Sequence, residues 1–210
     1  MKPIGAILAG GRSVRMGQPK EGVIMPDGRK MIEPIIATLS QICRQIVIVG
    51  ACRGFSIPVE STLLHLQDTM GMGPLAAMAT LFKSGIDDTG YIITACDQPY
   101  LTTDLLRLLI QSPSDLPILL RPAIGWGSDH SESAEDAGRG GQSSVGWECN
   151  PFPGYYPVSW FLEIEKKLQA GERSICRVLS ESRVTYLPFP KEWQESLRNL
   201  NGPLDLLLAS

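Results

Sequence analysis

Alternation constrains this chain most: short β-branched runs alternate with segments of helical periodicity. "QIVIVGA" (45–51) and "YIITACD" (91–97) are apolar almost throughout, as parallel strands buried on both faces are. "IGAILAG" (4–10) reads as a third such strand and ends in glycines. "LLHLQD" (63–68), "LPILLRPA" (116–123), "GYYPV" (154–158) and "VTYLPF" (184–189) are weaker strand candidates. Helical spacing marks "MIEPIIATLSQIC" (31–43), with Pro34 in its first turn where proline is tolerated. It also marks "PLAAMATLFKSG" (74–85), opening on proline and closing on glycine, and "TTDLLRLLIQS" (102–112), capped by Thr102 or Thr103. "SWFLEIEKKLQAGERS" (159–174) reads as a helix with Ser159 as its cap and Gly171 near its end. A small helix is expected to start at Pro203. Strand and helix in alternation predict an α/β fold, a mostly parallel sheet in a three-layer, Rossmann-like arrangement with helices on both faces.

One stretch breaks the pattern. Residues 125–146, "GWGSDHSESAEDAGRGGQSSVG", carry Gly, Ser and acid without periodicity and read as a flexible surface excursion or lid. A single domain spanning residues 1–210 is expected around it. The net charge of -3 argues against a nucleic-acid partner. No apolar run reaches the roughly 18 residues that span a bilayer. The opening "MKPIGAILAGG" is too short in its apolar part for a secretory signal, so a cytoplasmic protein is expected. The five cysteines are widely spaced without a C-x-x-C pair, which gives neither a zinc site nor a disulfide framework. With only His65 and His130, histidine chemistry has little to work with.

Positive charge is concentrated where the first strand ends. In "LAGGRSVRMGQPK" (8–20), glycines let backbone N–H groups approach phosphate oxygens without a Cβ in the way. Arg12, Arg15 and Lys20 can neutralise a triphosphate beside them. The spacing fits neither standard phosphate loop, G-x-x-x-x-G-K-[ST] or G-x-G-x-x-G, and by itself better describes a strand–helix turn with exposed basic residues. Asp97 ends another buried strand, where it can hold Mg²⁺ or cap the next helix.

Taken whole, residues 8–20 resemble the nucleotidyltransferase signature L-A-G-G-x-S-x-R-M-G-x-x-K at every fixed position, and within that superfamily the chain most resembles the molybdenum cofactor guanylyltransferases. "C-D-x-P" at Cys96–Pro99 is another hallmark of that family. The resemblance implies a fold of the nucleotide-diphospho-sugar transferase type and transfer of GMP from MgGTP to the terminal phosphate of molybdopterin, releasing pyrophosphate. It implies catalytic roles for Lys20, Arg15 and Asp97, with Asp97 on Mg²⁺. It implies nucleotide contacts from Leu8, Ala9, Gly10, Gly11, Lys20, Gly50, Asp68, Gly73 and Asp97. "LQAGERS" and "NLNGPLDL" resemble family segments facing the pterin, which makes Arg173, Ser174, Asn199 and Asn201 candidates for holding it. Read as residues alone, these are equally a helix C-cap and a turn.

Two departures touch recognition of the base or substrate. Gly50 stands where the family commonly has asparagine, and Ala77 replaces the second glycine of G-P-L-A-G, where its methyl could narrow the pocket. A relative using CTP or another phosphorylated acceptor, and an NTP-binding domain without chemistry, therefore stay open as alternatives. GTP and molybdopterin are the expected small-molecule partners, with other molybdenum cofactor enzymes as possible protein partners.

Overall fold

The structure is a computed structural model and describes residues 2–10, 17–57, 62–68, 71–87, 89–111, 114–123 and 149–207. The stretch expected to be an excursion lies outside them. Seven strands form one sheet: β1 (Ile4–Leu8), β2 (Gln45–Val49), β3 (Leu63–Leu66), β4 (Gly90–Ala95), β5 (Ile118–Pro122), β6 (Gly154–Pro157) and β7 (Thr185–Phe189), in the order β3-β2-β1-β4-β6-β5-β7. All pairings are parallel except those of β6, which runs antiparallel to both β4 and β5.

The helices are α1 (Ile32–Ile42), α2 (Pro74–Lys83), α3 (Thr103–Gln111), α4 (Phe161–Gln169), α5 (Ile175–Ser180) and α6 (Pro203–Leu207). They cover both faces, which is why the central strands lack a polar side. Ile46 and Ile48 of β2 pack with Ile35 and Leu39 of α1 and with Leu105 of α3. Val47 and Val49, the alternate residues, pack with Leu75 and Met78 of α2 on the other face. Ile164 of α4 and Val178 of α5 complete that second layer. Thr102 caps α3, its hydroxyl accepting from the Leu105 N–H at 3.4 Å.

Ser159 does not cap α4. Pro157 ends β6 in an extended conformation, and the chain makes a 3₁₀ turn over Val158–Trp160 before the helix opens at Phe161. That tight turn buries Trp160 against Tyr156, with ring centroids 5.4 Å apart. The Ser159 hydroxyl instead donates to the Asp115 carbonyl at 3.4 Å.

Candidate active site

Register sets where the functional loops emerge. Leu8 pairs with Val49 on one side and Ala95 on the other, and Val49 pairs with Leu66. The segments carrying Gly10, Gly50, Asp68 and Asp97 therefore leave one carboxyl edge of the sheet. The β1–β2 connection builds outward on one side, whereas α2 carries the chain back across to β4, on the other side of β1. That makes the β1/β4 boundary the topological switch point, the place where open α/β sheets bind ligands. The loops after β1 and β4 both open there.

Lys20 and Asp97 meet across this boundary. The Lys20 ammonium donates to Asp97 Oδ2 at 2.8 Å and to Asn201 Oδ1 at 2.7 Å. The two side chains of the ion pair are only 19% and 18% exposed, so water screens them less than an ordinary surface pair. Three segments far apart in sequence thus converge on one nitrogen.

Each of the three is held from below. Lys20 opens a 3₁₀ turn, Lys20–Gly22, whose middle residue Glu21 is buried. The Glu21 carboxylate accepts from the backbone N–H of Arg53 at 2.8 Å and of Gly54 at 3.3 Å. Gly22 and Gly54 lie backbone on backbone there: a Cβ on Gly22 would come within 2.5 Å of the Gly54 carbonyl oxygen. The loop after β2 is thereby bolted to the turn that carries Lys20. Val23, Met25 and Met31 then bury Leu200, and the Leu200 N–H donates to the Asp97 carbonyl at 2.8 Å. Next to it, the Asn201 and Gly202 N–H groups both donate to the Asp205 carboxylate, at 2.7 and 2.8 Å, and hold its proton affinity below the ordinary range. Asn201 is consequently presented to Lys20 by a closed turn.

Gly50 is fixed by close approach. Its φ is +124°, and a Cβ there would fall 1.8 Å from the Ala9 carbonyl oxygen. His65 supports the same loop, with Nε2 2.7 Å from the Gly50 carbonyl oxygen. Asparagine could not occupy this position without moving the β1 loop. Ala77 is buried and packs within the α2–sheet core, so its methyl fills the hydrophobic layer. The Ala77 Cβ belongs to the helix face turned to the sheet, in the core cluster.

The remaining candidates sort by location. Leu8 and Ala9 close β1, and the Ala9 N–H donates to the Val49 carbonyl at 2.8 Å. Gly10 has a φ of +92°. Gly11 and Arg15 lie outside the described residues, as does Arg12. Asp68 accepts from the Thr80 hydroxyl of α2 at 3.4 Å. Gly73 is the exposed residue before α2, with φ of +90° and open space where a Cβ would be. Ser174 caps α5, accepting from the Arg177 N–H at 3.3 Å, and Arg173 donates to the Leu168 and Glu172 carbonyls. Both residues therefore close the α4–α5 corner. Asn199 is exposed beside the buried Leu200.

Sequence reasoning missed Glu21 and Gln98. A charged residue next to a lysine in a polar stretch gives no sign of burial. Gln98 is 1% exposed; its amide donates to the Phe152 carbonyl at 2.7 Å, and its Oε1 is without a partner among the described residues. Among the described residues no three His, Cys, Asp or Glu side chains group as a metal cage. One carboxylate, Asp97, at the carboxyl edge is nonetheless a donor suited to Mg²⁺, which takes one or two carboxylates and completes its shell with phosphate oxygens and water.

A profile of the MobA-like NTP transferase domain matches residues 5–184, covering the sheet edge, Lys20 and Asp97. The chain belongs to this family. It is a nucleotidyltransferase. A probable molybdenum cofactor guanylyltransferase of Carboxydothermus hydrogenoformans is 27% identical over 209 residues, 95% of this chain and 91% of that protein. One of the same description from Rhodopirellula baltica is 26% identical over 209 residues, 97% of this chain and 89% of that protein. Among solved structures, molybdopterin-guanine dinucleotide biosynthesis protein A from Archaeoglobus fulgidus superposes with a TM-score of 0.69 at 20% identity, over 98% of this chain and 96% of that one. The 2-C-methyl-D-erythritol 4-phosphate cytidylyltransferase of Thermus thermophilus superposes with a TM-score of 0.65 at 16% identity, over 100% of this chain and 97% of that one. The MobA-like fold is thus shared with enzymes of different base preference. No helix among the described residues is long and apolar enough to cross a membrane.

Proposed function

We propose that this MobA-like nucleotidyltransferase transfers GMP from GTP to the terminal phosphate of molybdopterin, releasing pyrophosphate. The observation that carries the reading is the Lys20–Asp97 pair at the sheet's switch point, at 2.8 Å. The relatives' names supply the base and the acceptor.

An oxygen of the pterin phosphate attacks the α-phosphorus of GTP, a new P–O–P link forms, and the bond to the β-phosphate oxygen breaks. An ionised phosphate nucleophile has no proton to lose, so no general base is required. Catalysis rests on alignment and on neutralising the charge that develops on the leaving pyrophosphate. Asp97 is the residue to hold Mg²⁺. When bound, that ion supplies charge neutralisation on the α- and β-phosphates.

Lys20 changes partner during this cycle. In the structure its ammonium neutralises Asp97. A bound triphosphate offers denser negative charge, draws the ammonium onto its oxygens and frees the carboxylate. Asn201 Oδ1 accepts from the same ammonium as Asp97 does, and Arg15 adds a guanidinium to the same phosphates.

Calorimetric titration with GTP, CTP, ATP and UTP in Mg²⁺ tests the assignment of the base. Selective GTP binding is expected. Preference for CTP would overturn the guanylyl reading while leaving nucleotidyl transfer standing.

A further inference from the structure

The five cysteines divide sharply in their surroundings. Cys43, Cys52 and Cys96 are buried, and burial pushes the first two thiols up to about 12 and about 11. Burial raises Cys96 as well. These are inert packing residues. Cys149 is exposed and Cys176 half-buried, and although they are far apart in sequence the fold sets them side by side. The Cys176 thiol also lies 3.3 Å from the Cys149 carbonyl oxygen.

Topology explains the encounter. β6 is antiparallel, and its first residue, Gly154, pairs with Ile93 of β4 and Leu119 of β5. The chain entering β6 therefore arrives at the carboxyl edge of the parallel strands, where the Phe152 carbonyl accepts from Gln98. α5 leads into β7, which runs parallel to β5, so α5 begins at the same edge. Cys149 on the incoming chain and Cys176 in the first turn of α5 are brought together by these two crossings. The spacing of cysteines in the sequence carries no trace of this.

We propose that Cys149 and Cys176 form a reversible disulfide site, oxidised by a low-molecular-weight disulfide, that pins the chain entering β6 to α5. The Cys176 sulfur, as thiolate, attacks one sulfur of the reagent, and the first small thiolate leaves. Cys149 then loses its proton and attacks Cys176 Sγ of the mixed disulfide, forming the internal S–S bond and expelling the second small thiolate. The protein loses two electrons and two protons, and the reagent becomes two thiols. Within the pair, the neighbouring Cys149 thiol lowers the proton affinity of Cys176, and the neighbouring Cys176 together with burial raises that of Cys149. That order makes Cys176 the attacking residue and Cys149 the resolving one. The bond ties down the corner next to Arg173 and Ser174, on the same rim as Asp97. The proposal does not depend on which nucleotide or acceptor the enzyme uses.

The test treats the full chain with oxidised glutathione, quenches with an alkylating agent under denaturing conditions, and maps the products by peptide mass. The expected result is a Cys149–Cys176 cross-linked peptide, two fewer alkylated thiols than in the reduced chain, and full reversal by dithiothreitol. Closing this loop should also raise the thermal midpoint by roughly 5 °C. In Cys149→Ser the reaction should stop at a glutathione adduct on Cys176. No internal cross-link in the wild-type chain, or one involving Cys43, Cys52 or Cys96, would overturn the site. A cross-link without any rise in midpoint would overturn the pinning. The wild-type readouts stand even if a variant folds poorly.

Discussion

Lys20→Met separates the two tasks assigned to Lys20. The substitution keeps the length of the side chain and removes its charge. Two hydrogen bonds are lost, to Asp97 at 2.8 Å and to Asn201 at 2.7 Å, leaving a carboxylate 18% exposed without its cation. Partial exposure limits the damage to stability to about 1–2 kcal/mol. For a chain of this size that is a fall in thermal midpoint of roughly 2–6 °C. The effect on nucleotide is larger. An ammonium in contact with phosphate near a protein surface gains about 4 kcal/mol in Coulomb energy, of which about 2–3 kcal/mol survives the loss of hydration. Nucleotide affinity should therefore drop roughly 30- to 150-fold. Binding of Mn²⁺ without nucleotide should change in the opposite direction and tighten, because no ammonium competes for Asp97. Calorimetry gives the first quantity and Mn²⁺ electron paramagnetic resonance the second. Nucleotide affinity within about threefold of wild type, with unchanged Mn²⁺ binding, would refute the reasoning and make Lys20 a structural tether.

Gly50→Asn should destabilise the protein by about 3 kcal/mol or more, since its Cβ would meet the Ala9 carbonyl at 1.8 Å; an unchanged thermal midpoint would contradict the close approach. Glu21→Ala should lose about 1–2 kcal/mol by removing the acceptor of two part-buried N–H groups, and Glu21→Gln, which keeps one acceptor oxygen, less than half of that in denaturant melts. Equal losses in the two variants would remove the acceptor role. Burial raises the proton affinity of Asp87, but hydrogen bonds from the Thr89 hydroxyl and N–H, the Gly90 N–H and the Arg44 guanidinium outweigh it and leave the carboxyl below the ordinary 3.8. Its stabilising effect is present above that ordinary value and is lost as pH falls through the lower folded-state one. Stability of Asp87→Asn should accordingly be flatter than wild type in acid titrations below about pH 4, and parallel curves would contradict this.

The sheet was legible because its central strands are buried on both faces, which leaves continuous apolar runs in β1, β2 and β4 that few other environments produce. Asp97 and Gly10 could be placed on one edge for the same reason, since parallel strands put all their carboxyl ends together. What sequence could not show were contacts made by chain reversal. The Lys20–Asn201 bond depends on Leu200 burying among Val23, Met25 and Met31, and none of those residues signals the other. Glu21 was missed because a buried carboxylate is recognised by the N–H groups it faces, which belong to a distant loop. Ser159 was misread as a cap because a polar residue before a helical run also suits a 3₁₀ turn. Ala77 looked like a change in the pocket, although its helix turns that position to the core.

The most direct test of the central claim is to follow the α-phosphate. The protein is incubated with Mg²⁺, GTP labelled on its α-phosphate, and molybdopterin, and both the label and pyrophosphate are measured. The account predicts label in a pterin–guanine dinucleotide, one pyrophosphate released per label transferred, and loss of both in Asp97→Asn. Label that stays in GTP with no pyrophosphate, in a protein that binds the nucleotide, would contradict it.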